Sequence, residues 1–413
     1  VGSQTAAQRN YFPGTIHYIN PRLVPRDEDE VQISGFGKVV RGIGVLLCLY
    51  VLLTGVKLIT TGVRDLGYAV VANIMDYATH PVLAILVGIL ITFGVQSSTV
   101  ITTIVVAAVG SGVVPIETAV MLIMGSNIGT CFTPQLVAFG FFRDKPKFQR
   151  ALSATMTTWW FNVSLVAFLF PLEVAFHPLR ALSDQLSRWL YGCTTITFSV
   201  SGLVDALIHP VVEGIGTNGL LGYLGSPNIA AAVSIGLGVI AIMITIRFTT
   251  VLLSDMTAAS ARFVFAHSAE QPETAVQIRS VLTGLGLTLM TQSSSATICS
   301  TVPFVGTNTL SLRKAFGIVL GANLGTTMSA MIAAFAVSGE FGQLAMQAAF
   351  VHVLFNLIGV VAVMLIRPLG RGIITLSTTV ARRAVGAPLP AFIAVLATYI
   401  LIPFGVIALV ALF

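Results

Sequence analysis

The sequence predicts an all-α polytopic membrane protein built from two inverted-topology repeats, each with a re-entrant helical hairpin and an unwound transmembrane helix. Three observations carry that expectation. Of 413 residues 55% are hydrophobic and only 9% charged, with a mean hydropathy of +0.91, which leaves too few charges to cover a water-facing surface. Apolar runs long enough to span a bilayer alternate with short basic or polar turns. An uncharged polar island also occurs twice: Gln96-Ser97-Ser98-Thr99 returns as Gln292-Ser293-Ser294-Ser295, inside apolar sequence where free polar side chains are costly. Each copy is followed, 31 residues after its glutamine, by an asparagine in a second island, Gly125-Ser126-Asn127-Ile128-Gly129-Thr130 or Gly321-Ala322-Asn323-Leu324-Gly325-Thr326. Gly88, Thr92, Gly110 and Ala119 keep the same offset of 196 from Gly284, Thr288, Gly306 and Ala315.

The net charge of +6 does not indicate nucleic acid, because the basic residues fall between apolar runs, where they set topology. Four cysteines, Cys48, Cys131, Cys193 and Cys299, lie far apart and form neither a disulfide framework nor a metal motif. Residues 1–35 are polar, with Pro13, Pro21, Pro25 and the acidic run Asp27-Glu28-Asp29-Glu30, and read as a soluble N-terminal tail on the cytoplasmic side.

Taken in order, a first span is expected over Gly42 to Val63, with Lys57 snorkelling to an interface. The runs Pro81 to Val95 and Val100 to Val109 flank the first island. At about 20 Å each they are too short to cross, so the hairpin at 81–110 enters and leaves on one side with its polar tip near mid-bilayer. Irregular backbone at that depth is tolerated only when it is buried in protein or lines a cavity, so the tip is read as a site. Ile116 to Phe142 is the next span, with Gly125, Gly129 and Pro134 expected to unwind it around Asn127, Thr130 and Thr133. After the basic turn at 143–150 comes a span over Ala151 to Leu172 carrying Asn162, then an interfacial amphipathic helix at 177–191 and an extracellular connection at 192–226. The second repeat, 227–385, follows the same plan: a span near Ile229 to Leu253, a hairpin at 281–305, an interrupted span over Ala315 to Val337, a span over Leu344 to Ile366 with Asn356, and an interfacial helix at 368–385. Residues 386–413 form a C-terminal transmembrane helix without a counterpart in the first repeat, 36–191.

Three crossings per repeat turn the second copy upside down relative to the first. Loop charge agrees: Arg143, Lys145, Lys147 and Arg150 follow the first interrupted span, while Ser338-Gly339-Glu340 follows the second. Before the same spans stand Glu117 in one copy and Arg313-Lys314 in the other. The basic ends are thereby assigned to the cytoplasm. Inverted repeats whose broken helices meet at the midplane are the architecture of secondary transporters.

The converging groups are neutral. Helices beginning just after each Gln-Ser-Ser direct N–H groups and positive dipole ends at an anion, and neutral oxygens suit desolvated sodium. A plainer reading makes Ser and Thr mere packing residues, and a lone Asn such as Asn162 or Asn356 a tie between helices. Trp159 and Trp160 read as packing or interfacial anchors, and the scattered histidines give no catalytic or metal spacing. An intramembrane serine hydrolase needs a base within reach of a serine, and no His or Lys falls in a suitable span, so an enzyme is not expected. A sodium-coupled carrier of another anion, such as a dicarboxylate, and an anion channel stand as alternatives.

The two Gln-Ser-Ser islands, the Gly-Ser/Ala-Asn-Ile/Leu-Gly-Thr islands and the following Asn162 and Asn356 resemble the type II sodium-dependent phosphate cotransporter family over about residues 40–370. The resemblance implies electrogenic sodium-coupled phosphate symport by alternating access. Phosphate would be held by Ser97, Ser98, Thr99, Ser294 and Ser295. Sodium would lie near Gln96, Asn127, Thr130, Thr133, Asp144, Asn162, Gln292, Ser293, Asn323, Thr326, Thr327, Ser329 and Asn356. It implies no cofactor beyond sodium as coupling ion, phosphate, sodium and the bilayer as partners without nucleic acid, and leaves a homodimer open. Thr99 stands where the family has serine, and Phe141 where it has glutamine. The connection holds a single cysteine, so the disulfide of animal relatives has no counterpart, and the short polar tail fits a bacterial member of the inner membrane.

Overall fold

A computed structural model describes residues 35–65, 80–192, 206–266, 273–337 and 341–411. The expected polar tail, part of the 192–226 connection and the turn at 338–340 lie outside these residues. The chain divides into residues 1–40 and 41–413, and the packed helices belong to the second unit. Among the described residues every regular element is helical.

In chain order the helices are α1 (Gly35–Asp65), α2 (Pro81–Val95), α3 (Ser98–Gly110), α4 (Ile116–Gly129), α5 (Phe132–Phe139), α6 (Lys145–Phe176), α7 (Pro178–Gly192) and α8 (206–215). After a 3₁₀ turn at Leu220–Leu224 come α9 (Pro227–Ala266), α10 (Glu273–Thr291), α11 (Ser294–Gly306), α12 (Leu312–Ala334), α13 (Gly342–Leu365), α14 (Arg367–Gly386), α15 (Pro388–Leu396) and α16 (Ile402–Ala411). Among the described residues seven helical stretches are long and apolar enough to cross a membrane: Val39–Val63, Ile116–Phe139, Lys145–Phe176, Pro227–Thr245, Leu312–Ala334, Gly342–Leu365 and Pro388–Val410. They fall on the seven apolar runs read from the sequence, and α2 and α3 are the shorter apolar helices between them. The chain is a polytopic helical membrane protein by these measures.

The expected unwinding is corrected. Between α4 and α5 only Thr130 and Cys131 interrupt the helix, and both keep right-handed helical angles (φ −65°, ψ −17° and φ −72°, ψ −13°). In the second half α12 runs through Gly321 and Gly325 without a break. The glycines serve close approach instead. A methyl group at Gly125 would collide with the Ile85 carbonyl oxygen, and one at Gly321 with that of Val281, so α2 lies directly along α4 and α10 along α12. The second short-armed hairpin is also longer than expected, because α10 starts at Glu273 and not at Val281; its first two turns are polar.

Packing between these pairs crosses the two halves of the chain. Helix α3 rests on α12 and α13, while α11 rests on α5 and α6. The fully buried core side chains Ile123, Met124, Val106, Leu320 and Phe355 belong to one continuous apolar cluster. Helix α7 turns Ser183 and Ser187 inward and leaves Leu182 and Trp189 exposed; Arg180 pairs with Glu117 and Arg188 with Asp184.

Candidate functional site

The α2–α3 and α10–α11 junctions have the same local geometry. Gln96 and Gln292 occupy the left-handed region, with φ of 60° and 52°, a conformation that non-glycine residues enter at a cost. The next residue is extended and caps the following helix: Ser97 Oγ accepts from Val100 N at 3.3 Å, and Ser293 Oγ from Ala296 N at 3.2 Å. Each glutamine amide is held at both ends. Gln96 Nε2 donates to the Phe93 carbonyl and its Oε1 accepts from Thr133. Gln292 Nε2 donates to the Leu289 carbonyl at 2.7 Å and its Oε1 accepts from Ser329. Both hydroxyl partners lie 37 residues beyond their glutamine.

The two junctions meet each other. Thr130 Oγ1 lies 3.2 Å from Ser295 Oγ and accepts from Ser98 Oγ at 3.4 Å, while Thr99 Oγ1 donates to the Gln292 carbonyl at 3.4 Å. Ser98, Thr99, Thr130 and Ser294 are all nearly inaccessible to solvent, and Ser295 is half-buried. The N-termini of α3 and α11, each a 13-residue helix, start at this meeting point, so their free N–H groups face one neutral hydroxyl-lined locus.

The asparagines of the two halves are fully or almost fully buried. Asn127 Nδ2 donates to Ile123 O at 2.8 Å, Asn162 Nδ2 to Thr158 O at 3.1 Å and Cys131 Sγ at 3.4 Å, and Asn356 Nδ2 to His352 O at 3.0 Å. Asn162 Oδ1, Asn356 Oδ1 and Asn323 Nδ2 have no hydrogen-bond partner, although a buried polar group without one costs about 1–3 kcal/mol. The two unsatisfied amide oxygens, Asn162 Oδ1 and Asn356 Oδ1, suit a desolvated monovalent cation carried as substrate, whereas Asn323 Nδ2 is a donor, and among the described residues no cluster of His, Cys, Asp or Glu could hold a divalent metal. Thr326 and Thr327 bond back to their own helix, at Ala322 O (2.9 Å) and Leu324 O (2.7 Å).

Asp144 stands apart from these contacts. It is the N-cap of α6, accepting from Lys147 N at 3.2 Å and pairing with Lys147 Nζ at 3.0 Å, with its side chain 44% exposed. The bond to Lys147 holds its carboxyl below the usual range, so it is ionised at neutral pH.

A threonine cluster and Tyr399 were not among the site residues expected from the sequence. Thr288 Oγ1 donates to Thr297 Oγ1 at 2.9 Å, with Thr291 Oγ1 3.3 Å from the same atom, which ties α10 to α11 beside the second junction. Tyr399 sits in the π-helical turn Ala397–Leu401 between α15 and α16. It is fully buried against Phe132 and Phe93, with ring centroids 5.4 and 6.2 Å apart, and so backs the first junction. The apolar run containing it has no counterpart in the first half. Its one sequence signal is Pro403 just beyond the turn, which frees the backbone group at that point.

The chain is 27% identical over 377 residues to sodium-dependent phosphate transport protein 2A of Mus musculus, covering 76% of this chain and 59% of that protein. It is 27% identical over 379 residues to the 2A protein of Ovis aries, with the same coverage, and 26% identical over 408 residues to the 2B protein of Bos taurus, covering 79% and 58%. The chain therefore spans less than two thirds of the length of these curated relatives. No solved structure matches it. The profile described as Na+/Pi-cotransporter matches residues 51–205 and 242–381, most of the chain and both polar junctions, and the chain belongs to that family.

Proposed function

We propose that the chain carries inorganic phosphate into the cell with sodium, as an electrogenic symporter working by alternating access. The observation that carries the reading is the meeting of the two duplicated junctions, where Thr130 of one half lies 3.2 Å from Ser295 of the other. Two positive helix ends facing one hydroxyl-lined locus favour a tetrahedral anion; neutral glutamine, asparagine and hydroxyl oxygens around it offer sites for the sodium ions that offset its charge. The relatives named for sodium-dependent phosphate transport support the same substrates.

In this reading α2–α3 and the α10–α11 pair are re-entrant hairpins with tips near mid-bilayer, and residues 36–191 and 227–385 are inverted repeats rocking about them. The amphipathic α7 and α14 lie in the interface, the connection at 192–226 is extracellular, the N-terminus is cytoplasmic, and the cell boundary is a bacterial inner membrane. Phosphate is bound by Ser97, Ser98, Thr99, Ser294 and Ser295. Support comes from α3 resting on α12 and α13 while α11 rests on α5 and α6, a reciprocal packing that a duplicated, interlocked architecture would produce.

Uptake of labelled phosphate into proteoliposomes tests the proposal: it should require an inward sodium gradient, and equal uptake in sodium-free potassium buffer would refute it. Ser98→Ala and Ser294→Ala should each weaken apparent phosphate affinity by about 1–3 kcal/mol, from a lost donor to a buried anion, and wild-type affinity in both would exclude the junctions as the phosphate site.

Asp144 has a separate test. The proposal gives its carboxylate a role in the sodium count, whereas its contacts with Lys147 alone make it a helix cap. Asp144→Gly suits the question because glycine replaces an N-cap aspartate at a cost of only a few tenths of a kcal/mol (about 0.3). The variant should transport one sodium fewer per phosphate and pass no phosphate-evoked current; an unchanged flux ratio would reduce Asp144 to its capping role.

A further inference from the structure

We infer that the cavity between α5, α6, α14 and α15 holds one acyl chain of an anionic phospholipid whose phosphate pairs with Arg383. The cavity measures about 450 Å³, within the range of small-molecule sites, roughly 300–1,000 Å³. It has the form of a slot. Leu152, Met156 and Trp160 line it from one face of α6, and Ala391, Ala394 and Thr398 from one face of the last span, each set spaced as neighbours on a helix surface. The stretch of that span from Ala391 to Tyr399 rises about 12 Å, at about 1.5 Å per residue. Gln135 and Tyr399 also line the slot, but at 1% and 0% exposure they give it almost no polar surface.

Charge and depth choose the occupant. Arg383 is the one charged residue lining the cavity; it is exposed, and among the described residues it has no ion-pair partner. It stands in the last turn of α14, just before the span Pro388–Val410, which puts it at headgroup level. Ring contacts fix the direction of the slot. Phe139 meets Phe392 near the mouth, with centroids 5.1 Å apart, and Phe132 meets Tyr399 farther in, at 5.4 Å. The slot therefore begins at a cation and runs inward as apolar surface. A phosphodiester accepts paired bonds from the guanidinium while its acyl chain covers the walls. A zwitterionic lipid would set its own cation against Arg383, and an inorganic anion would leave the walls bare. A basic residue in the last turn complements the helix dipole in any case, but that role calls for no cavity beside it.

The test uses the full chain in phosphatidylcholine vesicles and reads tryptophan fluorescence, which bromine quenches on contact. Trp159 and Trp160 line the cavity, and Trp189→Phe removes the third and last tryptophan of the chain. In that background bromine-labelled phosphatidylglycerol should reach half-maximal quenching at a mole fraction about fivefold lower than bromine-labelled phosphatidylcholine, the attraction of one basic residue for an anionic lipid. Arg383→Gln, a change at an exposed position that does not threaten folding, should remove the difference. Ala394→Phe, which fills the slot and leaves the arginine in place, should remove it as well. Arg382→Gln takes away the neighbouring charge, which does not line the cavity, and should keep the difference. Equal quenching by the two lipids before any further substitution, or an unchanged preference in Ala394→Phe, would overturn the assignment. Loss of the preference in Arg382→Gln would replace it with a diffuse basic surface on α14, and relief of quenching by unlabelled oleate would replace it with a fatty-acid site.

Discussion

Gln292→Gly is expected to abolish sodium-driven phosphate uptake while changing the melting temperature little. The backbone at Gln292 has φ of 52°, which costs a non-glycine residue roughly 1–2 kcal/mol and costs glycine almost nothing. The substitution therefore relieves the turn and removes only the amide, whose Oε1 holds Ser329 on α12 and whose Nε2 holds the Leu289 carbonyl. Losing both leaves the buried Ser329 hydroxyl without its partner, roughly 1–3 kcal/mol, while the Leu289 carbonyl lies exposed, and unpins the α10–α11 junction from the helix that carries Asn323. Gln292→Ala loses the same bonds and keeps the backbone cost, so it should be inactive and also less stable. Thermal unfolding and proteoliposome uptake measured together check this. Normal uptake by Gln292→Gly would mean that the left-handed turn, and not the amide, is what the site requires.

The second large effect is on stability. Gly321→Ala should lower the melting temperature sharply, because its methyl would run into the carbonyl of Val281 and the neighbouring backbone of α10. The obstacle is main chain, which no rotamer change removes, so one helix must shift; the cost falls at the upper end of overpacking, about 3 kcal/mol. Gly286→Ala is the control on the same helix pair. Nothing lies within 4 Å of a methyl there, and alanine improves helix propensity by about 0.5–1 kcal/mol, so stability should hold or rise. Equal melting temperatures for the two variants would show that α10 and α12 are not in backbone contact.

How far each feature was legible depends on whether its cause is local. Apolar length is local, and the seven spans fall on the runs where hydropathy places them, with ends shifted by a few residues because polar turns such as Glu273 to Arg279 continue a helix that the hydropathy signal does not mark. The glycines at 125, 129, 321 and 325 were misleading for a physical reason. A glycine lowers helix propensity, which in isolation suggests unwinding, but a neighbouring helix that packs onto the bare backbone returns more than the propensity costs.

By itself the sequence determined that this is a helical membrane protein, that its two polar islands are duplicated, and where the glutamines, serines and asparagines of those islands stand, because composition, span length and a fixed repeat offset are properties of the chain read in one dimension. Only the tertiary structure decided that Thr130 meets Ser295, that Thr133 and Ser329 clamp the two glutamines, and that Tyr399 from an unrepeated helix backs the first junction. Contacts between residues 37 or more positions apart depend on how helices pack against each other, and packing is set by complementarity between surfaces that no window along the chain contains.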